Sequence, residues 1–286
     1  MKTIAVIGLG LIGGSLALSC RKNNFVQKVL GIDESATHAE QALALHLVDE
    51  ITDLTTACTQ ANLLVLAIPV DAMVKILPKI LDLATPNLVI TDVGSTKQAV
   101  LESIAHHPKR NQFVAAHPMA GTEFSGPSAA FDTLFQNKAC IICNAADSNP
   151  EAVAQVEALF RNIGMHLIYM NAAEHDIHAA YISHISHISS FVLALTVLQK
   201  EKSDEAIFEM ASGGFESTVR LAKSSAAMWT PIFLQNKNNI LAVLDTYRHF
   251  LQQFYDAIAK TDAEKLNTLM QEANAIKPVL KRKFER

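Results

Sequence analysis

The sequence predicts an α/β fold in which a doubly wound sheet is followed by an all-helical C-terminal domain. Through the first 170 residues, short runs rich in Val, Ile, Leu and Ala alternate with helical patterns, as in successive strand–helix–strand units. After Asn171 no strand pattern recurs, and long helical patterns rich in Ala, Leu and Ile continue to Arg286. We therefore expect two domains, 1–170 and 171–286.

The predicted strands are continuous apolar runs rather than polar–apolar alternations, which is typical of parallel strands covered on both faces. Strands are predicted at 3–8, 29–33, 63–69, 88–93, 113–116, 139–143 and 166–170. Helices are predicted at 13–22, 36–45, 72–83, 97–107 and 150–162. In the second domain, residues 191–198 are apolar on every side, which predicts a helix buried between domains or between subunits.

The composition is that of a globular protein of ordinary charge. Half of the 286 residues are hydrophobic and the net charge is −4, so the chain can bury a sizeable core. There is no basic stripe suited to nucleic acid, and no run reaches the ~18 uninterrupted apolar residues of a membrane span. A strand, a glycine turn and a helix explain the N-terminal apolar run better than a signal peptide does. We expect a cytoplasmic protein that binds neither nucleic acid nor membranes.

Cys140 and Cys143 form a C-x-x-C pattern, which elsewhere marks a redox pair or half of a zinc site. Both lie in a predicted strand, where residues three apart point to opposite faces of the sheet. The two thiols should therefore diverge, and no second C-x-x-C is present to complete a metal site. Packing in the core is the expected role.

A G-x-G-x-x-G motif directly follows the first predicted strand and opens the first predicted helix. In this setting Gly8 permits a tight turn, Gly10 a close approach of a pyrophosphate, and Gly13 close packing of helix on strand. The phosphates would lie over the helix N-terminus at Leu11 and Ile12, where free N–H groups and the helix dipole favour anions. Motif and position together predict a dinucleotide-binding domain of the Rossmann type.

Two further positions fit a dinucleotide site. Asp33 ends the second predicted strand, 20 residues after Gly13. A carboxylate there can accept hydrogen bonds from both adenosine ribose hydroxyls and repels a 2′-phosphate, which favours NAD over NADP. Ser35 beside it leaves some dual cofactor use open. Pro69 ends another predicted strand, and its fixed φ should shape a loop that borders the cofactor, although a purely structural role would also explain it.

Three polar segments end strands or lie on loops that should face the same cleft. They are Asp92-Val-Gly94-Ser95-Thr-Lys97, His117-Pro-Met-Ala-Gly-Thr122-Glu123, and His175-Asp176 followed by Ser183-His184-Ile-Ser-His187. Together with the glycine motif they closely resemble the prephenate/arogenate dehydrogenase family of tyrosine biosynthesis. The resemblance runs from residue 1 to about residue 240. Its most specific part is the H-P-M-A-G-T-E segment paired with D-V-G-S-T-K.

The resemblance implies an NAD-dependent dehydrogenase and assigns the reacting groups. It implies that His117 bonds the ring hydroxyl of the substrate and takes its proton while a carbonyl forms. A neutral imidazole with a pKa near ~6.5 suits this step at physiological pH. The resemblance also implies that Ser95 orients His117 and the nicotinamide, and that Gly94 beside it contacts the cofactor.

The same resemblance assigns the substrate pocket. It places Thr122 and Glu123 at the pocket mouth, His187 near the substrate side chain, and Arg220 on a substrate carboxylate, with Trp229 following in the family's usual context. A dianionic substrate requires a cation, and a guanidinium binds a carboxylate through two parallel hydrogen bonds.

Two positions depart from the family pattern. Ser186 stands where the family often has Pro, which should allow a more regular helix around His187. Ser217 stands where the family often has Asp, three residues before Arg220. Any ionic restraint on Arg220 must then be absent or come from elsewhere, and Glu216 is the nearest candidate.

Four histidines, at positions 175, 178, 184 and 187, suggest a metal site at first sight. If they shared one helix, at ~100° per residue, the first pair would face away from the second. We therefore expect no metal site.

The resemblance implies oxidative decarboxylation of prephenate to 4-hydroxyphenylpyruvate, with reduction of NAD. Arogenate dehydrogenase is the nearest alternative, because His117 and Arg220 would contact groups that both substrates share. A β-hydroxyacid dehydrogenase is more distant, since such enzymes often use a Lys on the first long helix of the second domain and 172–198 contains none. A non-catalytic NAD-sensing protein is the alternative outside enzymes. A homodimer formed by the apolar helices after residue 171 is expected.

Overall fold

A computed structural model describes residues 3–201 and 209–284. The chain divides into two compact units, Met1–Lys237 and Asn238–Arg286. The first unit carries the sheet and ten of the helices described below, and the second is helical throughout its described residues.

The first unit is built on one eight-stranded sheet. Its strands are β1 (Thr3–Ile7), β2 (Lys28–Ile32), β3 (Glu50–Ile51), β4 (Leu63–Leu66), β5 (Val89–Asp92), β6 (Phe113–Pro118), β7 (Ala139–Cys143) and β8 (His166–Met170). The spatial order is β3-β2-β1-β4-β5-β6-β7-β8. All neighbours are parallel except β6 and β7, which run antiparallel. This confirms the predicted doubly wound sheet, and the order reverses at β1, where such sheets bind their ligands.

The helices that connect the strands are α1 (Leu11–Lys22), α2 (Ala36–Ala44), α3 (Leu54–Gln60), α4 (Val70–Leu83), α5 (Gln98–Glu102) and α6 (Pro150–Asn162). After the sheet come α7 (Ala172–Ala179), a π-helical turn (Ala180–His184), α8 (Ile185–Glu201), α9 (Gly213–Val219) and α10 (Ala226–Gln235). The predicted helix over 150–162 and the predicted strands over 139–143 and 166–170 match the observed bounds.

Three elements differ from the prediction. The strand β3 and the helix α3 were not predicted, because a two-residue strand and a seven-residue helix are too short to show a periodic pattern. The helix predicted over 97–107 ends at Glu102 instead. The Ser103 hydroxyl donates to the carbonyl of Val100, and irregular turns follow before Pro108, which disfavours helix in the residue before it.

Apolar side chains cover both faces of the sheet. One cluster includes Leu16 of α1 and Phe160 of α6, and the other includes Leu77 of α4, all of them fully buried. Cys140 lies in the first cluster and Cys143 in the second. The prediction that the two thiols diverge and pack in the core is therefore confirmed.

The helical run Ala172–Lys200 is long and apolar enough to cross a membrane by length and composition alone, and only 11% of its most apolar window is buried within the chain. Its outward side chains include Ile182 and Leu195, which are 70% and 66% exposed. The segment 191–198, predicted to be buried between domains or between subunits, is not buried within this chain, and its burial between subunits stays a prediction.

The second unit consists of most of α11 (Lys237–Ala259), together with α12 (Ala263–Asn274) and α13 (Ile276–Phe284). Thr261, with φ +54, forms the turn between the first two, and the Asp262 side chain caps α12 by accepting from Lys265 N. Large apolar side chains are exposed here too, among them Phe250 and Tyr255.

Candidate active site

A cleft of about 460 Å³ lies at the carboxyl ends of β4, β5 and β6. Twelve of the fifteen predicted site residues line it. They are Gly10, Leu11, Ile12, Pro69, Gly94, Ser95, His117, Thr122, Glu123, His187, Arg220 and Trp229. The other three, Gly8, Gly13 and Asp33, lie behind or beside it. The sheet therefore brings together segments that are up to 219 residues apart in the chain.

The glycine loop, residues 8–13, has the shape that close approach by a phosphate requires. Gly8 has φ +92, and a Cβ there would lie 2.3 Å from the Ala67 carbonyl oxygen. A Cβ on Gly13 would lie 2.0 Å from the Gly8 carbonyl oxygen, so both positions need glycine for packing. A Cβ on Gly10 would meet only Gly126 N, at 3.9 Å, so packing within the chain does not require glycine there. Because Gly10 lines the cleft, its lack of a side chain leaves room for close approach of a pyrophosphate.

Asp33 follows β2 and has a second task that the sequence did not reveal. Its carboxylate oxygens accept from the backbone N–H of Leu9, at 2.8 Å, and of Ser35, at 2.9 Å. The carboxylate therefore holds the glycine loop in place, while its remaining lone pairs are available to ribose hydroxyls. The imidazole of His38 lies 3.7 Å from the same carboxylate.

Pro69 and Gly94 shape the cleft wall through the backbone. Pro69 immediately precedes α4, and the Gly94 N–H donates to Asp92 Oδ2 at 2.9 Å. A Cβ on Gly94 would lie 3.0 Å from both that oxygen and a methyl group of Val70, so the turn is tightly packed.

A buried ion pair supports the strands that carry the site. Lys97 and Asp92 are both fully buried, and the Lys97 ammonium bonds the Asp92 carboxylate and the Ala116 carbonyl oxygen. Asp92 also accepts from Ala116 N at 3.1 Å. Because each charge is paired and hydrogen-bonded, the pair joins β5 to β6 just before His117 without an uncompensated buried charge.

His117 lies in β6 and is 7% exposed. Its Nδ1 is 2.8 Å from Nε2 of His175, whose Nδ1 is 2.7 Å from Asp176 Oδ1. Burial, and next the neighbouring His175 ring, Lys97 and His184, hold the pKa of His117 well below its usual value. The ring is therefore neutral at physiological pH and can accept a proton.

The His117–His175–Asp176 chain was missed from the sequence, although the His175-Asp176 pair was noted. Ser95, which the family resemblance placed beside His117, lines the cleft, but Nδ1 of His117 bonds His175 rather than Ser95. Only the packing of α7 against the sheet brings the two histidines, 58 residues apart, into contact.

Arg220 and Glu123 form an ion pair at the cleft, with Arg220 Nη1 3.0 Å from Glu123 Oε2. The backbone N–H of Glu123 and then Arg220 lower the pKa of this carboxyl. The suggestion that Glu216 restrains Arg220 is wrong, because Glu216 pairs with Lys223 at 3.6 Å.

His187 and Trp229 form one wall of the cleft. Their rings stack with centroids 3.5 Å apart, and His187 Nδ1 donates to the Ser183 carbonyl oxygen at 3.1 Å. Burial is the main cause that lowers the pKa of His187, and Arg220 lowers it further. The Thr122 hydroxyl on the facing loop accepts from Phe124 N.

Two family models match the chain. "Prephenate dehydrogenase, nucleotide-binding domain" matches residues 16–169, and "Prephenate dehydrogenase, dimerization domain" matches residues 171–272. The chain belongs to the prephenate dehydrogenase family. The family resemblance predicted from the sequence is therefore confirmed, and the chain is a dehydrogenase.

Individual relatives agree with the family models. The chain is 36% identical to the prephenate dehydrogenase of Bacillus subtilis over 92% of this chain and 72% of that protein. It is 32% identical to the cyclohexadienyl dehydrogenase of Zymomonas mobilis over 98% of this chain and 96% of that protein. The Aquifex aeolicus prephenate dehydrogenase, solved with hydroxyphenyl propionate and NAD+, matches with TM-score 0.88 and 28% identity, covering 98% of each chain. The Synechocystis arogenate dehydrogenase matches with TM-score 0.75 and 27% identity, covering 98% of this chain and all of that one.

The four histidines of this prephenate dehydrogenase family member have separate surroundings. His178 is exposed, whereas His184 is fully buried, near Asn236 Nδ2 at 3.2 Å. Burial lowers the pKa of His184 to about 4. Within 3–201 and 209–284, no three His, Cys, Asp or Glu side chains come together as a metal site.

The helix α8 runs through Ser186, and the turn just before it, Ala180–His184, is π-helical. That Ser186 allows a more regular helix than Pro would stays a prediction. The Ser186 hydroxyl donates to the Ile182 carbonyl oxygen at 3.2 Å, inside that wider turn. A π-helical turn inside a helix often marks a functional site, and here it ends at His184, three residues before His187 of the cleft.

Proposed function

We propose that this chain catalyses the NAD-dependent oxidative decarboxylation of prephenate to 4-hydroxyphenylpyruvate and CO2, a step of tyrosine biosynthesis. The observation that carries the proposal is one cleft that contains the glycine loop, the buried neutral base His117 and the cation Arg220. Prephenate dehydrogenases of 36% and 28% identity support the same reaction.

NAD, when bound, accepts the hydride from the ring carbon that carries the hydroxyl group. Leu11 and Ile12 at the start of α1 would hold its pyrophosphate, since α1 has no acidic residue in its first turn and no side-chain cap. Asp33 would hold the adenosine ribose and repel a 2′-phosphate, and Pro69 and Gly94 would border the nicotinamide end.

His117 supplies the base for the chemical step. Its imidazole accepts the proton of the ring hydroxyl as the carbon–oxygen bond becomes a carbonyl and the hydride leaves. The bond to the ring carboxylate then breaks, its electron pair enters the ring, and CO2 departs. Because the ring becomes aromatic, this step drives the reaction and needs no metal or Schiff base. The former carbonyl oxygen becomes the phenol oxygen and takes back the proton from His117.

Arg220 is proposed to bind a carboxylate of the substrate. In the free protein Glu123 holds the guanidinium in place at 3.0 Å, so Arg220 meets the substrate already oriented. Thr122 is proposed to contact the substrate beside this pair, His187 and Trp229 to contact its side chain, and Ser95 to orient His117 and the nicotinamide.

We also propose a cytoplasmic homodimer, with a dinucleotide-binding domain over 1–170 and a substrate-binding and dimerisation domain over 171–286. The exposed apolar side chains of α8 and the matching dimerization-domain model support it. A second copy would cover these side chains in place of a membrane. No role with nucleic acid is proposed for a chain of net charge −4.

The test is NADH formation by purified protein given NAD and either prephenate or arogenate. We expect turnover with prephenate, and a kcat lower by about 10²-fold or more in His117→Asn, as loss of a general base implies. His178→Asn, an exposed histidine on α7, is the matched control and should retain wild-type turnover.

Preference for arogenate would replace the substrate in this proposal, and the full-length similarity to a cyclohexadienyl dehydrogenase makes the comparison necessary. No turnover with either ring acid would refute the proposed activity and favour an NAD-sensing role. Full activity of His117→Asn would refute the assignment of the base.

A further inference from the structure

Asp176 is the fixed end of the hydrogen-bonded chain behind His117. Its Oδ1 accepts from the backbone N–H of Lys97 at 2.8 Å, and its Oδ2 from that of Gln98 at 3.0 Å. Its own carbonyl oxygen accepts from Asn236 Nδ2 at 2.6 Å, and the residue is 3% exposed. Two backbone N–H groups thus hold the carboxylate, a third hydrogen bond fixes its backbone, and Oδ1 lies 2.7 Å from His175 Nδ1.

The Asp176 carboxylate fixes which atoms donate in the hydrogen bonds that join Asp176, His175 and His117. An ionised carboxylate only accepts, so His175 must donate from Nδ1 to Asp176 Oδ1. A neutral imidazole carries one N–H, so His175 Nε2 is then an acceptor. With His175 neutral, the contact at 2.8 Å makes His117 the donor from Nδ1, which leaves its Nε2 without a proton.

We propose that His175 and Asp176 are positioning residues that set the tautomer of His117 and so make its Nε2 the basic atom at the cleft. The inference rests on the proposed function for the identity of the substrate. The tautomer itself is a property of the protein without substrate. In the opposite tautomer Nε2 would carry hydrogen and could not accept the proton of the ring hydroxyl.

The same row of hydrogen bonds places a carboxylate in line with the charge that the reaction creates. When Nε2 of His117 accepts a proton, the ring becomes a cation that still donates from Nδ1 to His175. Asp176, one imidazole away, is the negative group in line with that cation. The other titratable or charged groups around His117 are the Lys97–Asp92 pair, His184 and Cys140.

Packing alone does not explain a histidine at position 175. The His175 side chain is 2% exposed, its ring meets that of His117 edge-on at 5.0 Å, and both of its nitrogens have partners. An apolar side chain would fill the same volume and leave Asp176 and His117 without these hydrogen bonds.

The first experiment reads the tautomer directly, in protein labelled with ¹⁵N at histidine and without substrate. Imidazole ¹⁵N shifts, assigned with His117→Asn, should show His117 protonated at Nδ1 and not at Nε2. His175→Gln, which places an amide oxygen near the position of Nε2, should preserve this tautomer, and His175→Phe should abolish it. A wild-type His117 protonated at Nε2 overturns the inference, whatever the substrate proves to be.

The second experiment separates positioning from general damage. With prephenate, His175→Phe should lower kcat by about 10- to 100-fold while KM and NAD affinity stay within threefold, because the base is misdirected and binding is not. His175→Gln should recover at least fivefold of that loss, and His178→Asn should match the wild type. Equal kcat values for folded wild type and His175→Phe overturn the inference.

These two readouts keep the inference separate from the proposed function. If the wild type does not act on prephenate at all, the proposed function fails, and the ¹⁵N shifts still decide the tautomer. If His175→Phe does not fold, the wild-type shifts and the His175→Gln variant decide it.

Discussion

The sheet region buries its large apolar side chains, whereas the helical run that follows it exposes several of its own. In the sheet region, Phe113, Phe135 and Phe160 are completely buried. In Ala172–Lys200, by contrast, Ile182 and Leu195 face outward, whereas the buried side chains include the polar groups of His175, Asp176 and His184. The large apolar side chains of the first region are covered within one chain, and these two of the second are not.

The difference reflects two tasks of the helical run. Its inner face has to present hydrogen-bonding groups to the site, and buried polar groups are stable only when they have partners. Its outer face then carries the apolar residues, which need cover from outside the single chain. A helix that combines both tasks has the appearance of a membrane span by composition alone.

The largest expected effect is a loss of stability from a mutation in the core of the sheet region. Phe160→Ala should lower the free energy of unfolding by about 3–5 kcal/mol, because it leaves a cavity in a fully packed cluster. Urea unfolding measures the change, with Leu45→Ala as control, since Leu45 is 46% exposed. A loss for Phe160→Ala no larger than that for the control would contradict a core completed by one chain.

The next largest effect is a pH dependence of stability that arises from the buried polar face of the helical run. Burial lowers the pKa of His184 to about 4, so between pH 6.5 and 4 the unfolded chain binds a proton that the folded chain does not. Stability should therefore fall as the pH falls through this window, by up to about 3 kcal/mol from this residue. Urea unfolding at pH 7, 5.5 and 4 measures it.

A matched pair of variants isolates the contribution of His184 from that of His117, whose pKa is lowered too. His184→Gln should show a smaller loss of stability on acidification than the wild type, and His178→Asn should behave as the wild type. Identical pH dependence in His184→Gln and wild type would show that His184 titrates normally.

The smallest expected effect is on self-association through the exposed apolar face of the helical run. Leu195→Asp should weaken self-association by about 10- to 100-fold, because it places a charge where an apolar contact is proposed. Light scattering over a dilution series measures the mass. Leu45→Asp, an exposed leucine of the sheet region, should leave the mass unchanged. A wild-type mass near the 31.1 kDa of one chain would rule out the dimer.

Much of the fold could be predicted because it follows from local patterns in the sequence. Seven of the eight strands were predicted, since each is a continuous apolar run between turn residues, while Glu50–Ile51 was too short for any pattern. The glycine motif predicted the cofactor end of the cleft for the same reason, because the spacing of Gly8, Gly10 and Gly13 is a local requirement of one turn. The boundary near residue 170 stays a prediction.

The residue types that the chemistry needs can be read from the sequence, and the family resemblance placed His117 and Arg220 among them. The partners of these two side chains depend on how the chain folds. Arg220 pairs with Glu123, 97 residues away, and not with the neighbouring Glu216, while His117 bonds His175 rather than Ser95. The reason is the separation of the interacting residues along the sequence. Turns and periodic patterns depend on residues a few positions apart, whereas these hydrogen bonds depend on how helices pack against the end of the sheet.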